Sequence, residues 1–219
     1  MLTGEDPNAV ATELGLSAAG FSLSQSTAHG RNVLRGFVRE IAERKNLKGE
    51  QRRVSVLEVG SFEGASALLW SHTIAKTCGS FGSVLCVDSW RSFDEPGVKH
   101  DYAWDVMLDA LKSGSAFERF LKNITHAPIP ISWVRASFVE AMPFLLGKKF
   151  DIVYIDASHS YEDVLEDIRL AAPFVRSGGI LCGDNFESTY SGVIQAVEES
   201  FSLGGFTHAY GIWRSLGAK

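Results

Sequence analysis

The chain has 219 residues, 45% of them hydrophobic, which suits one α/β domain with a sizeable core better than two domains. Its formal net charge of -5 argues against a general nucleic-acid grip, which wants a basic face. No run of about 18 apolar residues exists to span a membrane, and the acidic start MLTGEDPNAVATEL lacks the basic-then-apolar order of a signal peptide.

Taken in chain order, residues 1–25 are polar and mixed, with Asp6-Pro7-Asn8 opening a short helix to Leu14. In residues 32–45, Val33, Leu34, Phe37, Val38 and Ile41 fall at helical spacing and predict an amphipathic helix. Residues 1–50 read as an N-terminal helical segment, a lid or an oligomer contact, ahead of a main domain over 51–219. The stretch VSVLEVGSFEGAS at 54–66 reads as a buried strand, a glycine turn and a helix start. A second strand at 83–87 stops at Asp88, about the distance from Gly60 that a strand–helix–strand unit needs.

Residues 91–130 then interrupt the alternation with a loop and two helical stretches, 102–111 and 116–123. An excursion of that length on a compact domain covers a site or is disordered, and its aromatics favour an ordered substrate cover. Strands follow at 131–134, 150–155 and 180–182, with helices at 138–146, 161–175 and 192–201 between and after them. Gly178-Gly179 reads as the turn before the fifth strand, and residues 206–214 as a single aromatic strand. The alternation predicts an α/β fold, a Rossmann-like doubly wound, mostly parallel sheet with helices on both faces. Cys86 and Cys182 fall in strands and read as core thiols, Cys78 lies near a turn, and no CxxC spacing appears. A reduced cytoplasm is the compartment expected.

Polar residues collect at the predicted carboxyl ends of the strands, the edge where open parallel sheets bind ligands. Glu58 and Gly60 lie by the first, Asp88 ends the second, Ser137 follows the third, Asp156 ends the fourth, and Asp184-Asn185 end the fifth. Asp88 is placed to take both hydroxyls of a ribose, or else to cap the next segment. The turn Gly60-Ser61-Phe62-Glu63-Gly64 lacks the middle glycine of GxGxxG, and Glu63 brings a negative charge. Both facts count against NAD and ATP and suit a ligand with a ribose and a positive centre but no phosphates. Asp156, Asp184 and Asn185 offer oxygen ligands for a hard cation, Mg²⁺ before Zn²⁺; the alternative is a helix cap and a turn. His159, three residues after Asp156, is a candidate general base or a loop residue capping the next helix. Ser137 and Phe138 offer a hydroxyl and a ring for an adenine, and Trp90 either stacks on the cofactor or packs.

On these residues the chain resembles class I S-adenosylmethionine-dependent methyltransferases over about residues 53–201. EVGSFEGAS is similar to the family's ExGxxxGxS cofactor turn, VDSW to the ribose-binding strand end, and RASF to the adenine-side motif. DIVYIDASHSYEDVLEDI followed by GGILCGDNF is similar to metal-dependent small-molecule O-methyltransferases of the catechol and natural-product tailoring kinds. The resemblance implies S-adenosylmethionine held by Glu58, Gly60, Ser61, Phe62, Gly64, Ser66, Asp88, Ser89, Trp90, Ala136, Ser137, Phe138 and Asp156. It also implies Mg²⁺, or another hard divalent cation, on Asp156, Asp184 and Asn185, with catalysis by Asp156 and His159. The catechol-type base is a lysine three residues after the first Asp, whereas this chain has His159 there. The implied activity is methylation of a small-molecule hydroxyl on a catechol, sugar or natural product. The alternatives are a metal-independent methyltransferase acting on nitrogen or oxygen, a nicotinamide-dependent oxidoreductase, and a noncatalytic cofactor-binding subunit. No nucleic-acid or membrane partner is expected. The N-terminal segment and the C-terminal strand offer surface for a homo-oligomer.

Overall fold

The computed structural model describes residues 6–22, 27–93, 102–201 and 204–216. Residues 94–101 of the expected cover lie outside that set, as do the first five residues. Seven strands form one sheet in the order β3-β2-β1-β4-β5-β7-β6. The strands β1 (Val54–Val59), β2 (Gly82–Asp88), β3 (Ile131–Arg135), β4 (Phe150–Ile155) and β5 (Val175–Gly183) run parallel. The chain steps outward from β1 through β2 to β3, then returns to the other side of β1 with β4. That reversal is the point where such sheets bind ligands.

Period-2 alternation divides the strand residues between two cores. Val54, Val56, Ile152, Ile180 and Cys182 face α2 (Ala28–Leu47) and α3 (Ala65–Cys78). Leu57, Val59, Val153, Ile155 and Leu181 face α6 (Phe138–Leu145), α7 (Tyr161–Ala171) and α8 (Ser191–Ser200). Because α2 packs into the first of these cores, the segment before residue 50 is built into the single domain. The short α1 (Ala9–Leu14) lays Val10 and Ala11, with Phe21, against Ala65 and Leu68 of α3. All three cysteines are free and buried.

Three expectations need correction. The helix at 161–175 ends at Ala171, because Pro173 cannot continue the hydrogen-bond ladder and a 3-10 turn takes over at Ala172–Phe174. The fifth strand begins at Val175, and Gly178-Gly179 form a bulge inside it: Phe150 pairs with Val175, but Ile152 pairs with Ile180. The aromatic C-terminal strand is a hairpin of β6 (Phe206–Ala209) and β7 (Ile212–Ser215), with β7 inserted antiparallel beside β5. Its two-residue turn, Tyr210 (φ 53°) and Gly211 (φ 83°), has the two positive φ angles of a type I′ turn.

Candidate active site

The turn after β1 is fixed from three sides. Gly60 has φ 84°, and a Cβ there would come within 2.0 Å of the Asp156 carbonyl oxygen, so only glycine lets the β1 and β4 loops touch. The Asp88 Oδ2 accepts the backbone N–H groups of Ser61 (2.8 Å) and Phe62 (2.9 Å), and its Oδ1 accepts that of Trp90 (2.6 Å). Asp88 thus caps the turn behind it while its carboxylate also lines the cleft. Trp90 takes the packing role: it is buried on Phe117 and Phe120, and its Nε1 donates to the Phe62 carbonyl at 2.6 Å.

Glu63 does not project into the cleft. It is fully buried and accepts from the Ser22 N–H (2.6 Å), the Ser22 hydroxyl (2.7 Å) and Arg119 (2.8 Å). Asn123 of α5 (Ser115–Ile124) adds bonds to Gly20 and to the Glu63 carbonyl. The charge that argued against a phosphate is therefore spent on joining the N-terminal segment, the turn and α5.

Two adjoining cavities open at this edge. The first, about 410 Å³, is lined by Gly60, Phe62, Asp88, Ser89, Ala136, Ser137, Phe138 and Asp156. The second, about 130 Å³, is lined by Ser61, Phe62, Ser66, Asp156, His159 and Asn185, with Tyr190 on the α8 side. Phe93, Ala103, Trp104 and Met107 wall it from the cover, the last three on α4 (Tyr102–Ser113). The Ser137 hydroxyl accepts the Glu140 N–H as the cap of α6, and the Phe138 ring packs on Phe174. Glu58, Gly64 and Trp90 line neither cavity and support the turn from beneath. His159 lies in the β4–α7 loop with its ring 4.4 Å from that of Tyr190.

Negative charge is concentrated here: Asp88, Asp156, Asp163, Glu166 and Asp167 line the first cavity against one cation, Arg91, which pairs with Glu140 at 3.6 Å. Glu58 is fully buried, accepts from Ser61 (3.0 Å) and Cys86 (3.3 Å) through Oε2, and is pushed up to about 7, chiefly by burial. Its Oε1 has no partner among the described residues. Asp156 and Asp184 are joined by the Tyr154 hydroxyl, 3.3 Å from one Oδ2 and 3.1 Å from the other. One phenol proton serves one carboxylate at a time. Burial, then the Asp184 charge, drives Asp156 well above the ordinary range, and burial lifts Asp184 to about 6. Sequence reasoning missed Tyr154. The signal was its place two residues before Asp156, which puts both side chains on one face of β4.

Among the described residues, no group of three His, Cys, Asp or Glu side chains forms a metal cluster. The set Asp156, Asp184 and Asn185 fits a hard cation in its chemistry: two crowded carboxylates that share one phenol hydroxyl, plus a carboxamide. Phe62 (φ 45°), Trp90 (φ 47°) and Asn185 (φ 63°) are non-glycine residues held in the left-handed region at this same edge. Such strain concentrates at functional sites.

A family profile described as "Methyltransferase domain" matches residues 57–186, more than half of the chain. No curated protein matches by sequence. Among solved structures, the O-methyltransferase NovP superposes with a TM-score of 0.61 at 16% identity, covering 84% of this chain and 79% of that one. CalS11, a TDP-rhamnose 3′-O-methyltransferase of calicheamicin biosynthesis, gives 0.55 at 14% identity over 86% and 80%. An O-methyltransferase from Bacillus cereus in complex with SAH gives 0.50 at 14% identity over 99% and 94%. At these identities the likeness is one of fold.

Proposed function

Because the chain belongs to the methyltransferase domain family, a fold that serves S-adenosylmethionine-dependent methyl transfer, we propose that it methylates a hydroxyl group of a small molecule. The observation carrying this reading is that the two cavities share Gly60, Phe62 and Asp156. A ligand along the first reaches the wall of the second. When bound, S-adenosylmethionine supplies an electrophilic methyl group. Gly60, Ser61, Phe62, Ser66, Asp88, Ser89, Ala136, Ser137 and Phe138 hold it, with Asp88 at the ribose and Ser137 and Phe138 at the adenine. Glu58, Gly64 and Trp90 keep the turn in shape.

Asp156, Asp184 and Asn185 hold Mg²⁺ or another hard divalent cation, whose charge favours the ionised form of an acceptor hydroxyl. His159 takes the acceptor proton from the second cavity. Phe93, Trp104 and Met107 exclude water and hold the acceptor in register, where much of the rate gain arises. The absence of Lys or Arg from the described wall of that cavity suits an uncharged acceptor portion.

The test is thermal unfolding with S-adenosylhomocysteine, with and without Mg²⁺, and with NAD as control. A ligand at about 100 times its Kd adds roughly 2.7 kcal/mol. Stabilisation by S-adenosylhomocysteine and not by NAD supports the cofactor reading, and a further Mg²⁺ increment supports the cation. A second reading, metal-independent transfer, is favoured by the Tyr154 hydroxyl standing between the carboxylates. Turnover that survives EDTA would select it.

A further inference from the structure

The amino ends of the strands form the opposite edge of the sheet, about 20 Å from the cavities at roughly 3.3 Å per strand residue. On the face toward α6 and α7, each strand there begins with a polar residue and then turns apolar. Ser55 stands in register with Ser83, and Ser132 and Asp151 begin the flanking strands. The floor is bare because α6 has only 8 residues, about 12 Å of helix at 1.5 Å per residue, and covers the carboxyl half alone. The result is a groove of about 670 Å³.

Five cations line it: Lys45, Arg53, Lys148, Lys149 and Arg176. Against them stand Glu50 and Asp151, and Asp151 is already neutralised by Lys45 (2.7 Å) and Arg176 (3.2 Å). Lys149 donates to the Pro173 carbonyl. The charged groups of Arg53 and Lys148 and the hydroxyls of Ser83 and Ser132 have no partner among the described residues. A net positive groove is a local departure for a chain of net charge -5. Hydroxyls on the floor with cations around the rim match an anion that accepts hydrogen bonds from several sides.

We propose that this groove binds a small phosphorylated anion, at a site separate from the cofactor cleft. The acidic balance of the whole chain favours a small ligand over a nucleic-acid backbone.

The experiment is calorimetric titration with pyrophosphate, on the free protein and on protein saturated with S-adenosylhomocysteine. The expected result is saturable binding whose Kd is the same in both. Arg53→Glu and Lys148→Glu, which break no side-chain hydrogen bond or ion pair among the described residues, should each weaken it about tenfold or more. Unchanged circular dichroism and S-adenosylhomocysteine affinity in both variants establish that the fold is intact. The proposal is overturned by absence of saturable binding, by competition with S-adenosylhomocysteine, or by variants that bind as the parent does. A single-stranded oligonucleotide that binds more tightly than pyrophosphate overturns it in favour of a nucleic acid.

Discussion

Glu58 lies fully buried beneath the cofactor turn with one oxygen unpartnered, and its acid form is the one that this environment favours. Its pKa is about 7 in the fold against 4.5 for the exposed side chain. Its contribution to stability is therefore fully present below pH 4.5 and is lost as pH rises through about 7. The loss amounts to at most about 3 kcal/mol. Glu58→Gln mimics the acid form, and should flatten the fall in melting temperature between pH 4.5 and pH 7. An unchanged profile would place the titration elsewhere. Tyr154 acts through Asp156 and Asp184 as a positioning residue. Tyr154→Phe removes the shared proton donor and should lower kcat by about tenfold, worth about 1.4 kcal/mol and within the range for an unmade buried hydrogen bond. The Kd for S-adenosylhomocysteine should stay unchanged in the same variant; a matching loss in both would mean general disruption. For Gly60, the 2.0 Å approach to the Asp156 carbonyl leaves no room for a methyl group. Gly60→Ala should cost about 3 kcal/mol or more, read from urea midpoints.

At the level of elements, the N-terminal segment, the β1–α3 turn and α5 meet on one carboxylate. Glu63 holds Ser22 and Arg119, and Asn123 ties Gly20 to the Glu63 carbonyl. Glu13 on α1 adds ion pairs to Arg31 (2.5 Å) and Arg35 (2.6 Å) on α2. These bonds tie the N-terminal segment, which reads as a lid or an oligomer contact, to the cofactor turn, α2 and α5. Glu63→Ala leaves the Ser22 N–H and hydroxyl without their acceptor and releases the half-exposed Arg119, and the unmade hydrogen bonds cost about 1–3 kcal/mol. The variant should lose that stability in chemical unfolding and release residues 6–22 to proteolysis before the sheet unfolds. Cleavage at the parent rate would show that the clasp is unimportant. The hairpin β6–β7 belongs to this scale too. A strand reading of 206–214 followed the aromatic run and passed over Tyr210-Gly211, because a non-glycine residue at φ 53° is uncommon.

Across the whole molecule, acidic groups crowd the carboxyl edge of the sheet. Asp167 on α7 is raised to about 7 by burial and by Asp163 and Glu166, in the same sense as Glu58 and Asp184. Each of these groups favours the protonated, folded form, so the ligand-free protein should lose stability steadily from about pH 4 to pH 7. Thermal unfolding across that range checks the direction. If Asp156 and Asp184 hold a cation, saturating Mg²⁺ should reduce the slope, since a bound cation favours both ionised carboxylates.

By itself, the sequence determined the alternation of strands and helices that makes a mostly parallel sheet, the glycine turn after β1, and the edge on which Asp88, Asp156 and Asp184 gather. Those features are local: apolar runs of strand length, glycine at the turn, and polar residues where each run stops. Only the tertiary structure decided what those residues face. It turned Glu63 away from the cleft and Trp90 into the core, placed Tyr154 between two carboxylates, and split the last strand into a hairpin. The reason is that a side chain's partners lie far along the chain — Glu63 meets Arg119, 56 residues on — and no local pattern records which distant group will arrive beside it.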